Sequence, residues 1–242
     1  YRFYEHIDTY LEYERICCDD ENCQIYNKKC ESIVPEDYDN EDKLLIICSK
    51  FHCLIEKLLK LTPSQDEKFH LEYLNYWLNY ELNKIYAQTY PVAFYKNVKS
   101  KDNKNNILKR LDGKLCDIDE NEMKNMNWLF YLYREYFNFI KANVKPDAIK
   151  GNFKLYSNPK PDKYKEFEAK CLNVTSCSKA LCAFKKKCER IKLKIPELED
   201  SEKNELPSLS KCENTEVNDY SLKKDEQIEM NDENNFHIPT NI

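Results

Sequence analysis

Glycine is scarce in this chain, whose 242 residues include only Gly113 and Gly151. Tight turns between strands usually need residues that tolerate a positive φ angle, so a mainly β fold is nearly excluded. A phosphate-binding loop of the Rossmann or P-loop kind needs several glycines in one short segment, and no segment here has them. The shortage of glycine therefore argues against both an all-β domain and a nucleotide-binding enzyme.

Two further patterns are missing from the sequence. No run of residues approaches the roughly 18 apolar positions that a membrane-spanning helix needs. We therefore expect any membrane attachment to come from a segment outside residues 1–242.

No Cys-x-x-Cys pair occurs either, so the usual cysteine spacing of zinc ribbons and of thioredoxin-like redox sites is absent.

Cysteine, in contrast, is abundant. Twelve cysteines are more than a reducing cytosol normally accommodates, and the even number indicates a disulfide framework formed in a secretory, exported or surface setting. The structural disulfide candidates are Cys17, Cys18, Cys23, Cys30, Cys48, Cys53, Cys116, Cys171, Cys177, Cys182, Cys188 and Cys212. Their connectivity stays open, although Cys212 is predicted to pair with a cysteine of residues 1–195.

Apolar residues recur at helical spacing along most of the chain. The predicted helices cover residues 3–15, 41–61, 64–86, a stretch from 91 that Gly113 ends, 119–144 and 162–191. Capping-box pairs, Ser64 with Glu67 and Asp119 with Glu122, mark the start of two of these helices. The pattern predicts an all-α, disulfide-stapled ectodomain of about five to seven helices.

The composition changes after residue 195. Residues 196–242 hold 13 acidic and only 4 basic side chains and have few apolar residues, which is typical of disorder. Two regions are therefore predicted: a Cys-rich helical head domain over residues 1–195, and an acidic, mostly disordered linker or stalk over residues 196–242.

Two aromatic rows are predicted to form the core of the head by packing long helices together. The core aromatics are Tyr73, Tyr76, Trp77, Tyr80, Trp128, Tyr133 and Phe137. No cofactor is needed to explain them.

On the final predicted helix, Cys171 and Cys182 share one stripe, and Cys177 and Cys188 share another about 120° away. Two stripes favour bonds to two different neighbouring segments and cannot converge on one tetrahedral metal ion.

The remaining motifs contain residue types that could carry chemistry. Cys48, His52 and Cys53 suggest a metal pair or a Cys–His nucleophile, but His52 and Cys53 point about 100° apart on a helix. The basic stretch 96–110 and the run 185–187 are predicted to be solvated surface rather than a nucleic-acid site, because aromatic residues are not interleaved. The glycosylation-like triplet 173–175 is predicted to lie inside a helix and to occur by chance. No catalytic residue, metal or cofactor is predicted.

The two aromatic rows also carry a family resemblance. Leu74-Asn75-Tyr76-Trp77-Leu78-Asn79-Tyr80, followed by Trp128-Leu129-Phe130-Tyr131-Leu132-Tyr133, resembles the Plasmodium interspersed repeat family, and in particular its Vir variant antigens. The early cysteine cluster and the late cysteine-bearing helix fit the same pattern. The resemblance covers residues 1–195 and implies a malaria-parasite protein of the infected red cell, displayed at its surface or exported into a membrane compartment.

The expected function follows from the resemblance and from the oxidised cysteines. It is a variant surface antigen that serves immune evasion or cell adhesion by contacting a host protein receptor or an antibody, without catalysis and without nucleic acid. The alternative is an intracellular scaffold or structural protein, exported to the host-cell compartment without surface exposure. A hydrolase with a cysteine nucleophile is a third reading, which a single hyper-reactive cysteine would favour.

Overall fold

The computed structural model describes residues 2–17, 20–33, 40–60, 66–85, 90–143, 161–194 and 212. These residues form eight α-helices and two short 3-10 helices, at Arg2–His6 and Leu108–Leu111, and contain no β-strand. The α-helices are α1 (Ile7–Ile16), α2 (Asp20–Glu31), α3 (Glu41–Leu59), α4 (Glu67–Lys84), α5 (Pro91–Lys101), α6 (Glu120–Asn143), α7 (Pro161–Leu172) and α8 (Thr175–Lys194). The predicted all-α, disulfide-stapled fold is confirmed.

The helix count exceeds the predicted five to seven for two reasons. Residues 20–31, for which the sequence pattern predicts no helix, form α2, which has few apolar residues and is bonded to α3 through Cys30. The predicted helix 162–191 is broken at residues 173 and 174, where the amide of Val174 donates to the carbonyl of Cys171 at 3.0 Å. Neither glycine nor proline marks this break, so the sequence pattern did not reveal it.

Of the two predicted helix starts, the structure agrees with one and differs from the other. The carboxylate of Asp119 accepts hydrogen bonds from the backbone amides of Asn121 and Glu122, at 3.0 and 3.1 Å, and so forms the Asp119 half of the predicted capping box at the start of α6. The other cap was wrong in register: α4 begins at Glu67 after Asp66, and Ser64 lies outside the described residues. The predicted acidic tail also lies outside them, apart from Cys212.

One core joins these helices. α3 packs between α2 and α4; α4 also contacts α5 and α6; and α6 contacts α1, α7 and α8. Aromatic rings connect the layers: Tyr10 of α1 stacks on Tyr73 of α4 at 4.0 Å between ring centroids, and Tyr133 of α6 lies 5.2 Å from Phe184 of α8. The hydroxyl of Tyr133 donates to the carbonyl of Ala180 at 3.1 Å, so the buried phenol is satisfied.

The predicted core aromatics occupy three environments. Tyr73, Tyr76, Trp77 and Tyr133 are buried. Tyr80 and Trp128 are partly buried against the core, and Phe137 is half-buried on α6. The exposed edges of α4 and α6 explain the difference, because the rows carry aromatic residues on more than one helix face.

Four disulfides staple the two ends of the head. Cys17–Cys53 ties the end of α1 to α3, and Cys30–Cys48 ties α2 to the same helix. Cys171–Cys177 closes the turn between α7 and α8, and Cys182–Cys212 fastens the chain beyond α8 to that helix. Cys212 therefore reaches the head as predicted. The two-stripe interpretation was wrong for Cys171 and Cys177, which bond each other because the helix break turns them together.

The remaining cysteines differ from one another. Cys116 was a disulfide candidate, but it carries a free, exposed thiol. It lies between the 3-10 helix Leu108–Leu111 and α6, whereas the other described cysteines lie in or beside α1–α3 and α7–α8 or at position 212. Cys188 is buried in α8 and takes part in none of these four bonds. Cys18 and the side chain of Cys23 lie outside the described residues.

Candidate functional site

Two asparagines of the aromatic row on α4 hold the segment that leads into α6. The side-chain oxygens of Asn75 and Asn79 accept the backbone amides of Cys116 and Ile118, each at 2.9 Å. The amide group of Asn79 also donates to the carbonyl of Cys116 at 3.0 Å. Both asparagines are buried, so these bonds replace water at groups that would be costly to leave unsatisfied. We call this arrangement the asparagine clamp.

The clamp shapes a groove of about 860 Å³ between the first half of α4, segment 114–119 and the start of α6. We call it the acidic groove. Its lining residues are Glu67, Lys68, Leu71, Glu72, Asn75, Lys114, Cys116, Asp117, Ile118, Asp119, Glu122 and Met126. Leu71, Ile118 and Met126 give it an apolar floor, and the free thiol of Cys116 lies in its wall.

The charge of the groove is mainly negative, with five carboxylates against two lysines. Most of the acids are also structural. Glu67 pairs with Arg110 at 2.8 Å, and the carboxylates of Asp117 and Asp119 accept backbone amides. Among the described residues, the carboxylate of Glu122 has no ion pair or hydrogen bond. The groove therefore suits a protein segment that presents a basic side chain beside an apolar one, because the basic group meets the carboxylates and the apolar group meets the floor.

Arg110 fixes the end of the groove where α4 begins. Its guanidinium donates to the carbonyl of Leu59 at the end of α3 and to the carboxylate of Glu67 at the start of α4. The guanidinium beside Glu67 holds the pKa of that carboxyl below its usual value, so Glu67 stays charged. This bridge positions the start of α4 relative to the end of α3.

The basic stretch 96–110 is partly neutralised. Lys99 forms an ion pair with Asp112, Arg110 pairs with Glu67, and Asp102 of the same stretch pairs with Lys29. Lys96, Lys101, Lys104 and Lys109 are exposed. This arrangement agrees with solvated surface.

The run 185–187 contradicts that interpretation at one position. Lys185 is buried, with 1% of its side chain exposed, and its ammonium pairs with Glu168 of α7. The break at residues 173–174 is the reason, because it folds α7 back onto α8. The same break places Asn173 in an exposed turn and Thr175 at the exposed start of α8, rather than both inside one continuous helix as predicted.

A compact group of cysteine and histidine side chains lies on the other side of α3. Cys48 and His52 are one helical turn apart on α3, and Cys30 reaches them from α2. The two sulphurs and a ring nitrogen of His52 all lie within 4.8 Å of one another. Burial lowers the pKa of His52 to about 4, so the imidazole is neutral near pH 7. We call these three residues the Cys/His cluster.

Neither feature is among the predictions, for identifiable reasons. His52 points away from its neighbour Cys53, and the informative relation is instead the i, i+4 spacing from Cys48 to His52. The row around Trp77 is dominated by aromatic residues, but Asn75 and Asn79 repeat within it at the same i, i+4 spacing on a buried face. Buried asparagines at helical spacing were the signal for the clamp.

No helix in the described ranges is long and apolar enough to cross a membrane. Comparisons with protein-family models, with curated proteins and with solved structures find no match to this chain.

Proposed function

We propose that this chain is the ectodomain of a malaria-parasite variant surface antigen, displayed on or exported into the infected red cell. There it contacts a host receptor or an antibody. The observation that carries the proposal is the set of four disulfides, which persist in oxidising compartments and are rare in reducing ones. The two aromatic rows add the family resemblance, and their helices pack as neighbours in one core.

The acidic groove is the contact surface that the proposal favours. Its apolar floor and negative rim suit a host protein segment that presents lysine or arginine beside an apolar side chain. Electrostatic attraction of that kind speeds association and weakens as salt rises.

Surface labelling tests the location. Intact infected cells would be treated with a membrane-impermeant biotin reagent, and the same reagent would be applied to permeabilised cells as the control. We expect labelling of the chain in intact cells. Labelling seen only after permeabilisation would contradict surface display.

A charge-reversal pair tests the groove. Glu122→Lys reverses a groove charge without removing a described bond, and Glu31→Lys makes the same change on the exposed surface of α2. In a flow-cytometry assay of the fluorescent folded chain on host cells, Glu122→Lys should lower binding and Glu31→Lys should not. Equal binding by both variants would remove the groove from the proposal while leaving the surface location to the labelling experiment.

One observation favours the alternative function, an intracellular scaffold exported to the host-cell compartment. Exposed free thiols such as that of Cys116 are more typical of reducing compartments. The mass shift on alkylation of natively produced protein, before and after reduction, separates the two functions. The antigen predicts that Cys116 labels before reduction and that the eight bonded cysteines label only afterwards; the scaffold predicts labelling of those eight without reduction.

A further inference from the structure

The Cys/His cluster contains a polar atom with no assigned role. Nε2 of His52 is buried and has no hydrogen-bond partner among the described residues. His52 as a whole is 3% exposed, and its ring stacks on Tyr26 at 5.4 Å with an interplanar angle of 9°. A buried nitrogen without a partner costs folding free energy, so an apolar side chain would serve a purely structural role better.

Charged groups of both signs act on the imidazole, although burial is the stronger influence and keeps it uncharged. The carboxylates of Asp102 and Glu56 act on His52, opposed by the single ammonium of Lys29. Two sulphurs and an imidazole form a ligand set that Zn²⁺ prefers, provided that both sulphurs are thiolates. In the oxidised chain they are not available, because Cys30 and Cys48 are bonded to each other.

We propose that reduction of the Cys30–Cys48 disulfide converts the Cys/His cluster into a Zn²⁺ site, with Cys30, Cys48 and His52 as its three protein ligands. The reductant is a thiol of the glutathione class. Two such thiols supply two electrons and two protons, yielding two cysteine thiols and one external disulfide. Binding of Zn²⁺ then releases two protons from the thiols, and a water molecule completes the tetrahedron.

The backbone already suits this geometry. The Cα atoms of Cys30 and Cys48 are 5.8 Å apart. Tetrahedral Zn²⁺ with bonds of about 2.3 Å to sulphur places two sulphurs about 3.8 Å apart, which rotation of the two side chains can reach. His52 follows Cys48 by one turn of α3, so its ring lies on the same side of that helix.

The neighbouring disulfide provides a matched control. Cys17–Cys53 also ties α3 to an adjacent helix, and its Cα atoms are likewise 5.8 Å apart. It belongs to no described group of three metal-binding side chains. Reduction of this pair should therefore create no comparable site.

Metal titration of the full chain tests the proposal. The chain would be reduced with a phosphine, exchanged into oxygen-free buffer and titrated with Co²⁺ and then Zn²⁺, with the oxidised chain in parallel. We expect a thiolate-to-cobalt absorption band that Zn²⁺ abolishes at one equivalent, and no band from the oxidised chain. His52→Asn should weaken Zn²⁺ binding by about tenfold or more, and His6→Asn should not.

Reduction could unfold part of the chain, so a second measurement identifies which cysteines bind the metal. Zn²⁺ should slow alkylation of Cys30 and Cys48 selectively, as read by peptide mass spectrometry, and the Cys17→Ser, Cys53→Ser double variant should retain this protection. The proposal is overturned if all cysteines are protected equally or none is, if His52→Asn binds Zn²⁺ like the parent chain, or if the oxidised chain binds equally well. The experiment is independent of where the chain is displayed.

Discussion

The ammonium of Lys185 and the carboxylate of Glu168 form a buried ion pair between α8 and α7, with side-chain exposures of 1% and 12%. A buried pair contributes little net stability when intact, but removal of one partner leaves the other charge desolvated. The pair therefore matters chiefly for keeping α7 in one position on α8.

Glu168→Gln should destabilise the domain by about 3 kcal/mol, because it leaves Lys185 buried and charged. Glu166→Gln is the matched control: Glu166 lies on the same helix and pairs with Lys170, but both side chains are mostly exposed. Its cost should stay below about 0.5 kcal/mol. Urea unfolding of the two variants measures the difference, and equal midpoints would show that the buried pair has no special role.

Glu14 gives a prediction about pH. Burial raises the pKa of its carboxyl, although a hydrogen bond from Tyr73 opposes that shift. Because the folded pKa lies above the unfolded value, the native state binds more protons, and this group favours folding less as pH rises through its folded pKa.

Glu14→Gln removes the charge and can still accept from Tyr73. The variant should therefore be more stable than the parent chain near pH 7, and the advantage should shrink as pH falls to about 4. Urea midpoints across that range provide the measurement. Glu12→Gln, which alters an exposed partner of Arg15, should show no such convergence.

At the scale of elements, α4 organises the site. Its aromatic side chains enter the core, while Asn75 and Asn79 reach across to segment 116–118 and set the wall of the acidic groove. The family-like row on this helix therefore combines packing residues with residues that shape the surface.

Asn79→Ala should cost about 2 kcal/mol, because it removes the hydrogen bonds that the buried side chain of Asn79 makes with the partly buried backbone of Cys116 and Ile118. Alkylation of Cys116 should also become faster as the segment loosens. Asn83→Ala changes an exposed asparagine on the same helix and should do neither. Unchanged reactivity of Cys116 in Asn79→Ala would contradict the clamp.

The sequence predicted elements well where apolar periodicity is strong and poorly where covalent bonds or polar contacts decide the structure. The apolar stripes of α3 and α6 predicted those helices closely. α2 was missed because Cys30, rather than an apolar stripe, secures it. The acidic groove could not be predicted, because it depends on contacts between α4 and a segment about 40 residues later.

For the whole molecule, the disulfides should differ in their contribution to stability. Cys182–Cys212 closes a loop with a sequence separation of 30, and Cys171–Cys177 one of only 6. Restriction of the unfolded chain predicts roughly 3.6 kcal/mol for the first and 2.2 for the second.

Serine replacement of each pair, followed by thermal or urea unfolding, tests that order. Loss of Cys182–Cys212 should lower stability by about 1.4 kcal/mol more than loss of Cys171–Cys177. The reverse order would mean that native contacts of the α7–α8 turn, rather than unfolded-state entropy, dominate.

The nesting of the two N-terminal disulfides has a mechanical consequence. Cys30–Cys48 lies within the loop closed by Cys17–Cys53, whose sequence separation is 36. A force that pulls on the ends of the chain cannot extend that loop, which withholds about 120 Å of contour length. The inner bond bears no load until the outer one opens. When a tethered molecule is pulled under a reductant, opening of the outer bond before the inner one should give two ordered steps from this pair, apart from the steps of the two C-terminal disulfides. Cleavage of the inner bond alone should leave the extension unchanged.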